Sequence, residues 1–408
     1  MARRKDNYIF GLDIGTRKTC AVIAEVNESG GLDIIGIGMT ESKGLRRGIV
    51  VNLEATVEAI RKVIEEAELM AGVAIESAYV GIAGNHIKGF NSRGVIAVGG
   101  KSREITREDV QRVIEAAKAV SIPPDREILH VLPQEFIVDD QDGIGDPIGM
   151  TGTRLEVNVH IVTTSVTSTQ NLIACVNRSG MVVADMVLES IASSETILTP
   201  DEKELGVALI DIGGGTTDLA IFEKGSICYT SVVPIGGDSF TNDISVGLRT
   251  PIPEAEKIKK RYGCALSSMV EDDETIEVPS MGGRKPRILS RQILCEIIQP
   301  RAEETFNLVH DEIKKAGYEK SLNSGIVLTG GGALLEGMPE IAEQIFDLPV
   351  RRGSPTGVGG LVDVINNPIY STAVGLLLYG HRNTASRSRV RGGENTFSRL
   401  KTWIREFI

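Results

Sequence analysis

The sequence predicts an α/β fold built from two similar halves that face each other. Two segments carry this prediction, YIFGLDIGTRKTCAVIAEV near the start and GVALIDIGGGTTDLAIFEKG in the middle of the chain. In each, an apolar run ends in Asp-Ile-Gly, a polar turn follows, and a second apolar run resumes, which is typical of a β-hairpin. Apolar residues recur at helical spacing over 53–70 and 167–178. Strands mixed with helices indicate the α/β class.

Two insertions are predicted between and after these hairpins. In residues 84–162, TREDVQRVIEAAKAV begins with the capping pair Thr106 and Asp109, and RLEVNVHIV alternates like a half-buried strand. This indicates a small α+β subdomain. A second insertion, about 236–300, carries the helical PEAEKIKKRYG and the acidic EDDETIEV. After Tyr379, GHRNTASRSRVRGGENT has almost no large apolar residue, so we predict a flexible linker there.

Composition narrows the class of protein. The 408 residues include 44 basic and 55 acidic side chains, and the net charge of −11 argues against a nucleic-acid partner. The five cysteines are scattered without the short paired spacings of zinc ligands, so we expect reduced thiols. No secretory signal opens the chain, and no apolar run reaches the roughly 18 residues of a membrane-spanning helix. We therefore expect the body of the protein to be cytoplasmic.

The glycine-rich turns of the two hairpins are candidate phosphate-binding loops. Glycines let backbone N–H groups approach an anion, and consecutive N–H groups form a nest for phosphate oxygens. The first loop offers Gly15 and Thr16; the second offers Gly213, Gly214, Gly215, Thr216 and Thr217. Asp13 and Asp211 precede the loops, and carboxylates beside a triphosphate require a cation, which implies Mg²⁺ held largely through water. Lys18 would add a positive charge to the phosphates. A lone Asp-x-Gly is more often a simple turn, but two copies at matching positions favour a site.

Two further glycine clusters suit a nucleotide. In GIVLTGGGALLEG, Gly330, Gly331 and Gly332 follow a predicted strand and suit a flat adenosine ring, although a plain strand-to-helix turn is an equal alternative. In VPIGGDSFTNDI, Gly236 and Gly237 precede a helix whose N-terminus could support the nucleotide. Together the glycine turns indicate ATP as the ligand.

These motifs resemble the actin-like ATPase superfamily, and within it the FtsA family of bacterial cell-division proteins, over nearly the whole chain. FGLDIGTRKTCAVI and LIDIGGGTTDLAIF resemble the two phosphate loops, GIVLTGGGALLEG, which includes Ala333, resembles the adenosine motif, and VLESIASSETIL and NNPIYSTAVGLLLYG resemble the connecting helices. The resemblance implies a duplicated, ribonuclease-H-like, actin-like fold with an FtsA-type insertion. It places Glu256 and Lys259 at the adenosine.

The same resemblance implies roles for three further residues. Glu189 matches a residue that positions the attacking water in relatives, but the surrounding segment departs from the pattern of MreB and the chaperones, so hydrolysis is at most slow. A role at a helix end is an equal alternative for Glu189. Arg301 and Glu304 match positions implicated in binding the C-terminal peptide of FtsZ, and an exposed salt-bridged helix face is at least as good an interpretation.

The resemblance also divides the chain into predicted units. They are the first core half (1–83, 163–195 and 360–380), the inserted subdomain (84–162), the second core half (196–235 and 301–359), its insertion on the FtsZ-binding side (236–300), the linker (381–396) and a terminal amphipathic helix (397–408).

The terminal segment FSRLKTWIREFI predicts a membrane-targeting helix. Its large apolar residues fall on one helical face, with Arg399, Lys401 and Arg405 off that face. The apolar residues are Phe397, Leu400, Trp403, Ile404, Phe407 and Ile408. An alternative is a helix that docks on the protein's own body. One such tail would bind an anionic membrane weakly, and several tails in one polymer would bind firmly.

The function implied is an ATP-binding cell-division protein on the cytoplasmic face of the bacterial inner membrane at the division site. It would self-associate into filaments, anchor FtsZ filaments, and help to recruit later division proteins through residues 84–162. The alternatives are a pilus-assembly protein resembling PilM and a metabolic kinase of the same superfamily.

Overall fold

The computed structural model describes residues 7–100, 102–280, 282 and 285–390. We number its strands and helices in chain order. The strands are β1 (Tyr8–Ile14), β2 (Lys18–Val26), β3 (Leu32–Glu41), β4 (Leu45–Arg46), β5 (Ile49–Val50), β6 (Ser77–Ile82), β7 (Lys88–Ala97), β8 (Arg126–Val138), β9 (Gln141–Ile144), β10 (Arg154–Ser165), β11 (Val182–Leu188), β12 (Val207–Ile212), β13 (Thr217–Glu223), β14 (Ser226–Val233), β15 (Thr275–Val278), β16 (Arg287–Ser290), β17 (Ile326–Thr329), β18 (Val350–Arg352) and β19 (Gly359–Gly360).

The helices are α1 (Leu53–Ala71), α2 (Arg107–Lys118), α3 (Val166–Arg178), α4 (Glu189–Ile197), α5 (Pro200–Leu205), α6 (Gly237–Leu248), α7 (Ile252–Tyr262), α8 (Arg291–Ala316), α9 (Met338–Phe346), α10 (Val362–Ile365) and α11 (Ser371–Val390). The predicted helices 53–70 and 167–178 correspond to α1 and α3 within one residue at each end.

The two halves repeat one sheet topology. In the first half the strand order is β11-β6-β1-β2-β3-β19, and in the second it is β14-β13-β12-β17-β18. In both, an antiparallel hairpin (β1–β2 or β12–β13) is followed by a third antiparallel strand, and the first strand of the hairpin also pairs in parallel with a later strand. The two hairpins have the same register, since Asp13 pairs with Cys20 and Asp211 pairs with Asp218. The predicted duplication is therefore present in the sheets.

Each half has its own apolar core. The first core lies between its sheet and α1, α3, α4 and α11, and the second lies between its sheet and α6, α8 and α9. Helix α1 shows how the sequence builds this packing: Asn52 caps its start, Gly72 ends it in the left-handed conformation, and one face is buried. The first core also takes in Leu209, Ala220 and Phe222 from the second sheet, so the two halves are packed against each other.

The inserted subdomain is a four-stranded antiparallel sheet in the order β7-β10-β8-β9, with α2 packed on one face. The predicted cap of α2 is present as a capping box, in which Thr106 and Asp109 bond to each other's backbone N–H groups. The predicted strand RLEVNVHIV lies in β10. Residues at the other end of this sheet contact the second half, where the side chain of Gln134 donates to the carbonyl of Ile227.

Residues 381–390, the first ten of the predicted linker 381–396, are helical, because α11 continues to Val390. Polar contacts with the first half explain the continuation. His381 Nε2 lies 2.9 Å from the carbonyl oxygen of Gly30, Arg382 pairs with Glu195, and Thr384 lies 3.4 Å from the hydroxyl of Tyr79. As far as Thr384, a segment poor in apolar residues is thus held against the first half by polar contacts.

The predicted boundary between residues 300 and 301 does not fall in a loop. Helix α8 runs through it with Pro300 inside the helix, and its buried face belongs to the second core throughout. The insertion 236–300 and the second half therefore share one continuous helix.

Candidate functional site

The two predicted phosphate loops face each other across a cleft between the halves. A Cβ atom built on Gly214 would lie 2.6 Å from Cγ of Arg17, and one on Gly215 would lie 2.7 Å from Oγ1 of Thr16. Only glycine allows this approach at positions 214 and 215. An ion pair also joins the two halves here, since Arg17 of the first loop binds Asp238 in the first turn of α6.

The two loops close in the same way. The N–H of Gly15 donates to the carbonyl of Lys18 at 2.9 Å, and the N–H of Gly213 donates to that of Thr216 at 2.9 Å. In the described part of the chain, the N–H groups of Thr16, Gly214 and Gly215 have no such partner. These are the donors that could form an anion nest.

Four carboxylates gather at the floor of this cleft. Asp13, Asp211 and Asp218 are 4%, 8% and 5% exposed, and Glu189 is partly buried at the start of α4 beside Gly81. Asp211 accepts a hydrogen bond from the hydroxyl of Ser193 at 3.1 Å. Asp218 accepts one from Thr216 at 3.0 Å through Oδ2, but its buried Oδ1 has no partner within the described residues. The cleft floor is therefore strongly acidic.

Burial and mutual repulsion raise the pKa values of three of these groups. Burial raises the pKa of Asp211 to about 6, against the hydrogen bond from Ser193 that lowers it. Burial and the neighbouring Asp211 raise the pKa of Asp218 to about 7. Burial, followed by Asp13, Asp218 and Asp211, raises the pKa of Glu189 well above its ordinary value. The raised pKa values show that ionised carboxylates are poorly solvated here, a cost that a bound cation would relieve.

Lys18 supplies positive charge to the first loop. Its ammonium lies 2.7 Å from Oδ2 of Asp13 and donates to the carbonyl of Ile369. Burial lowers the pKa of Lys18, but Asp13 and Cys20 outweigh that effect and the net pKa is raised. Lys18 is thus a charged partner of Asp13 rather than a free phosphate ligand in this conformation.

A magnesium nucleotide fits this donor set. The unpartnered oxygen of Asp218 and the excess of carboxylates favour a cation, and the glycine loops leave N–H groups for phosphate oxygens. No group of three or more His, Cys, Asp or Glu side chains in the described residues is placed to ligate a metal directly. Asp13 and Asp211 would hold a hydrated Mg²⁺ ion through water, and that ion would neutralise the phosphate charge.

Glu256 and Lys259 form a partly buried pair on α7 beside the second loop. Their charged groups are 2.7 Å apart, and Lys259 also donates to the carbonyl of Gly237 at 2.9 Å. Burial raises the pKa of Glu256, but Lys259 outweighs it and lowers that pKa to about 2. The pair fixes α7 against the first turn of α6.

Gly236 and Gly237 bring the N-terminus of α6 against the second loop. The N–H groups of Gly237 and Asp238 donate to the carbonyls of Gly213 and Gly214 at 2.9 and 2.8 Å. These two donors are used within the protein, so the helix supports the loop rather than offering those N–H groups to a ligand.

Gly330, Gly331 and Gly332 follow β17, the parallel neighbour of β12. Gly330 has φ of +80°, and a Cβ there would collide with Asp211. Ala333 is fully buried, and its N–H donates to the carbonyl of Gly330 at 3.2 Å. The glycine turn is therefore beside the second loop, but the side chain of Ala333 belongs to the core.

The predicted peptide-contact residues Arg301 and Glu304 lie on α8. Arg301 on α8 binds Asp243 at 2.6 Å and also pairs with Glu304. These contacts are those of a salt-bridged helix face, which is the alternative interpretation of the two residues. The predicted membrane residues from Phe397 to Ile408 lie outside the described residues.

The sequence analysis missed three residues of the cleft. Asp218 interrupts the buried strand β13 where Cys20 stands in the matching strand, and this difference between the repeats was the available signal. Ser193 and Thr372, whose hydroxyls are 3.1 Å apart, link Asp211 to α4 and α11. Hydroxyls in helices are common, so the sequence offered no comparable signal for these two.

The sequence matches the models of known protein families and is similar to curated proteins. The family model described as "Cell division protein FtsA" matches residues 208–375, and "SHS2 domain inserted in FTSA" matches residues 84–163. The chain is 50% identical over 406 residues to Cell division protein FtsA of Pseudomonas aeruginosa, covering 97% of each chain. It is 42% identical over 411 residues to Cell division protein FtsA of Escherichia coli, covering 98% of this chain and 97% of that one.

Solved structures show the fold. The PilM-PilN type IV pilus biogenesis complex aligns with a TM-score of 0.66 at 15% identity, covering 91% of this chain and 98% of that one. MreB5 of Spiroplasma citri bound to ADP aligns with a TM-score of 0.55 at 16% identity, covering 95% and 100%. The predicted actin-like α/β fold with an inserted α+β subdomain is confirmed. Among the described residues, no helix is both long and apolar enough to cross a membrane. At 42–50% identity over nearly its full length, the chain belongs to the FtsA family of actin-like cell division proteins.

Proposed function

We propose that this cell-division protein binds Mg·ATP between its halves, and that the nucleotide favours the closed arrangement in which the protein polymerises. The observation that carries this proposal is the pair of glycine loops, one from each half, that meet above buried carboxylates. A ligand that contacts both loops binds the closed state better than an open one, so it shifts the population toward closure. The structures of MreB5 of Spiroplasma citri bound to ADP and AMPPNP support a nucleotide in this fold.

This chain's residues would divide the work between the two halves. Thr16, Gly214 and Gly215 would donate N–H groups to phosphate oxygens, while Asp13 and Asp211 would orient water on Mg²⁺. On the far side of the second loop, Glu256 and Lys259, with the glycine turn at 330–332, would bound the adenosine. Glu189 would position a water molecule, and turnover would be slow at most.

Nucleotide binding is tested by titration calorimetry with Mg·ATP on the full chain. In Gly214→Val the new side chain would collide with Arg17 and separate the loops, so we expect affinity to fall by at least about tenfold, or about 1.4 kcal/mol. Gly99→Val is the matched control, because a Cβ at Gly99 meets no atom within 4 Å. Unchanged affinity in Gly214→Val, or no binding by the wild type, would refute the proposal.

We also propose that residues 397–408 bind the anionic face of the inner membrane as an amphipathic helix. Support comes from the sequence pattern and from the local positive charge of a segment attached to an acidic protein. Co-sedimentation with vesicles containing anionic lipid should be strong for the wild type with ATP and weak for Trp403→Glu. Equal binding by polymerising and non-polymerising protein would contradict the role of multiple tails.

We further propose that Arg301 and Glu304 contribute to a site for the acidic C-terminal peptide of FtsZ, so that filaments are anchored to the membrane. Arg301 is held on α8 by Asp243, which fixes the position of a basic group on this surface. Arg301→Glu should weaken peptide binding by about tenfold or more. Lys257→Glu is a suitable control, because Lys257 is exposed and pairs only with Glu254 among the described ion pairs. Equal affinity of both variants for the peptide would exclude this site.

The inserted subdomain is the proposed docking site for later division proteins, and filament formation is proposed for the whole chain. The double helical filament of MamK supports self-association in this fold, with a TM-score of 0.53. Pelleting with and without ATP tests polymerisation. The PilM-like and kinase alternatives have weaker support, because relatives at 42–50% identity are cell division proteins.

A further inference from the structure

The β4–β5 hairpin, residues 45–50, places an unpaired arginine at the mouth of the cleft. Its tip, Arg47-Gly48, lies against both phosphate loops. The N–H of Gly48 donates to Oγ1 of Thr16 at 3.1 Å, and a Cβ built on Gly215 would lie 3.0 Å from both N and Cα of Arg47. The hairpin is thus the third element, after the two loops, that borders the proposed phosphate position.

Arg47 differs from the other cations around the loops in its partners. Lys18 pairs with Asp13, Arg17 with Asp238, and Lys259 with Glu256. The side chain of Arg47 is exposed and makes no ion pair or hydrogen bond in the described part of the chain. A guanidinium without a carboxylate partner, beside two anion-binding loops, is available to a phosphate.

The backbone holds this tip in place. Arg47 has φ of +50°, a conformation that a non-glycine residue adopts at some cost, and Gly48 follows at +75°. A Cβ on Gly48 would lie 2.5 Å from the carbonyl oxygen of Ala83 and 2.7 Å from Cα of Gly84. The tip is therefore wedged between the loops and the residues at which the inserted subdomain begins.

We propose that Arg47 binds the terminal phosphate of a nucleoside triphosphate and so distinguishes the triphosphate from the diphosphate. The proposal rests on the proposed nucleotide site. The backbone N–H groups of the loops can bind phosphates of either nucleotide. The guanidinium of Arg47, carried by a third element beside both loops, would have a terminal phosphate to contact only in the triphosphate. A guanidinium can make paired, charge-assisted hydrogen bonds to a phosphate, whereas a strongly hydrated lysine ammonium acts as a point charge.

The test compares affinities for Mg·ATP and Mg·ADP by titration calorimetry on the full chain. For Arg47→Met we expect ATP affinity to fall about tenfold while ADP affinity stays within about twofold. Arg47→Lys should recover part of the ATP affinity, since it keeps the charge but loses the paired donors. Arg46→Met is the control: it removes the same charge one residue away, and we expect both affinities to stay within about twofold.

Each outcome bears on one of the two proposals. If the wild type binds neither nucleotide, the proposed function fails. If the wild type binds both and Arg47→Met lowers neither affinity, or lowers both equally, the assignment of Arg47 to the terminal phosphate is wrong while nucleotide binding stands. An equal loss of ATP affinity in Arg46→Met would likewise overturn the assignment, because general electrostatic attraction would then explain the effect.

Discussion

Replacing Asp218 by Asn should stabilise the nucleotide-free protein, and more at high pH than at low pH. Burial raises the pKa of Asp218 from its ordinary value of 3.8 to about 7. At about 1.4 kcal/mol per pKa unit, keeping this carboxylate ionised in the native state costs about 4 kcal/mol above pH 7. Because the native state binds the proton more tightly than the unfolded state, this cost grows as pH rises from about 4 to 7.

The assay is urea unfolding of wild type and Asp218→Asn at pH 5 and pH 8, in chelator and without nucleotide. The hydrogen bonds of the new amide change the unfolding free energy equally at both pH values. The difference between the two pH values therefore isolates the effect of the charge. We expect the variant's advantage to be greater at pH 8 by about 2–3 kcal/mol. Asp140→Asn is the control, because the side chain of Asp140 is 99% exposed. An advantage that is equal at both pH values would refute the explanation of the raised pKa.

Two further predictions concern the packing around the cleft. A Cβ on Gly375 of α11 would overlap the carbonyl of Ala192 in α4, so Gly375→Ala should lower the unfolding free energy by about 2 kcal/mol or more. The control Gly99→Ala should change it by less than about 0.5 kcal/mol. Equal urea midpoints for the two variants would contradict the close crossing of α4 and α11. His130 accepts a hydrogen bond from the N–H of Leu188, and burial lowers its pKa to about 4. Because the unfolded state then binds the proton more tightly below pH 6.5, His130 should contribute a loss of about 2 kcal/mol to the unfolding free energy between pH 7 and 5. His130→Gln lacks this contribution, so the wild type should lose about 2 kcal/mol relative to the variant over this range, and parallel pH profiles would contradict this.

The parts of the fold that follow local patterns were predictable from the sequence. The two hairpins, α1 and the capping box of α2 all correspond to short-range signals in the chain. The helical course of residues 381–384 was not predictable, because its support comes from distant partners such as Gly30. The same holds for α8, where Pro300 suggested a boundary but packing on both sides of it keeps the helix intact.

The residues of the cleft also fall into those that the sequence could reveal and those that it could not. Asp13, Asp211 and the loop glycines could be found because they repeat, and a repeat is visible in one sequence. Asp218 breaks the repeat, and its importance depends on burial that only the packed structure reveals. The placement of Arg47 depends on a hairpin that is short and without periodicity, yet lies beside the two loops.

The distribution of charge in the cleft explains why a nucleotide should act on the arrangement of the halves. Asp13 belongs to the first half, Asp211 and Asp218 to the second, and like charges across a cleft oppose its closure. Ser193 ties Asp211 to α4, and its hydroxyl contacts that of Thr372 in α11, so the repelling charges sit where the two connecting helices cross. A ligand that brings Mg²⁺ among these carboxylates removes the repulsion at that crossing and adds phosphate contacts to both loops. Closure is then favoured both by the loss of carboxylate repulsion and by the phosphate contacts to the two loops. Without Mg²⁺ the carboxylates would also repel the phosphates, so ATP without Mg²⁺ should bind weakly and should not promote polymerisation.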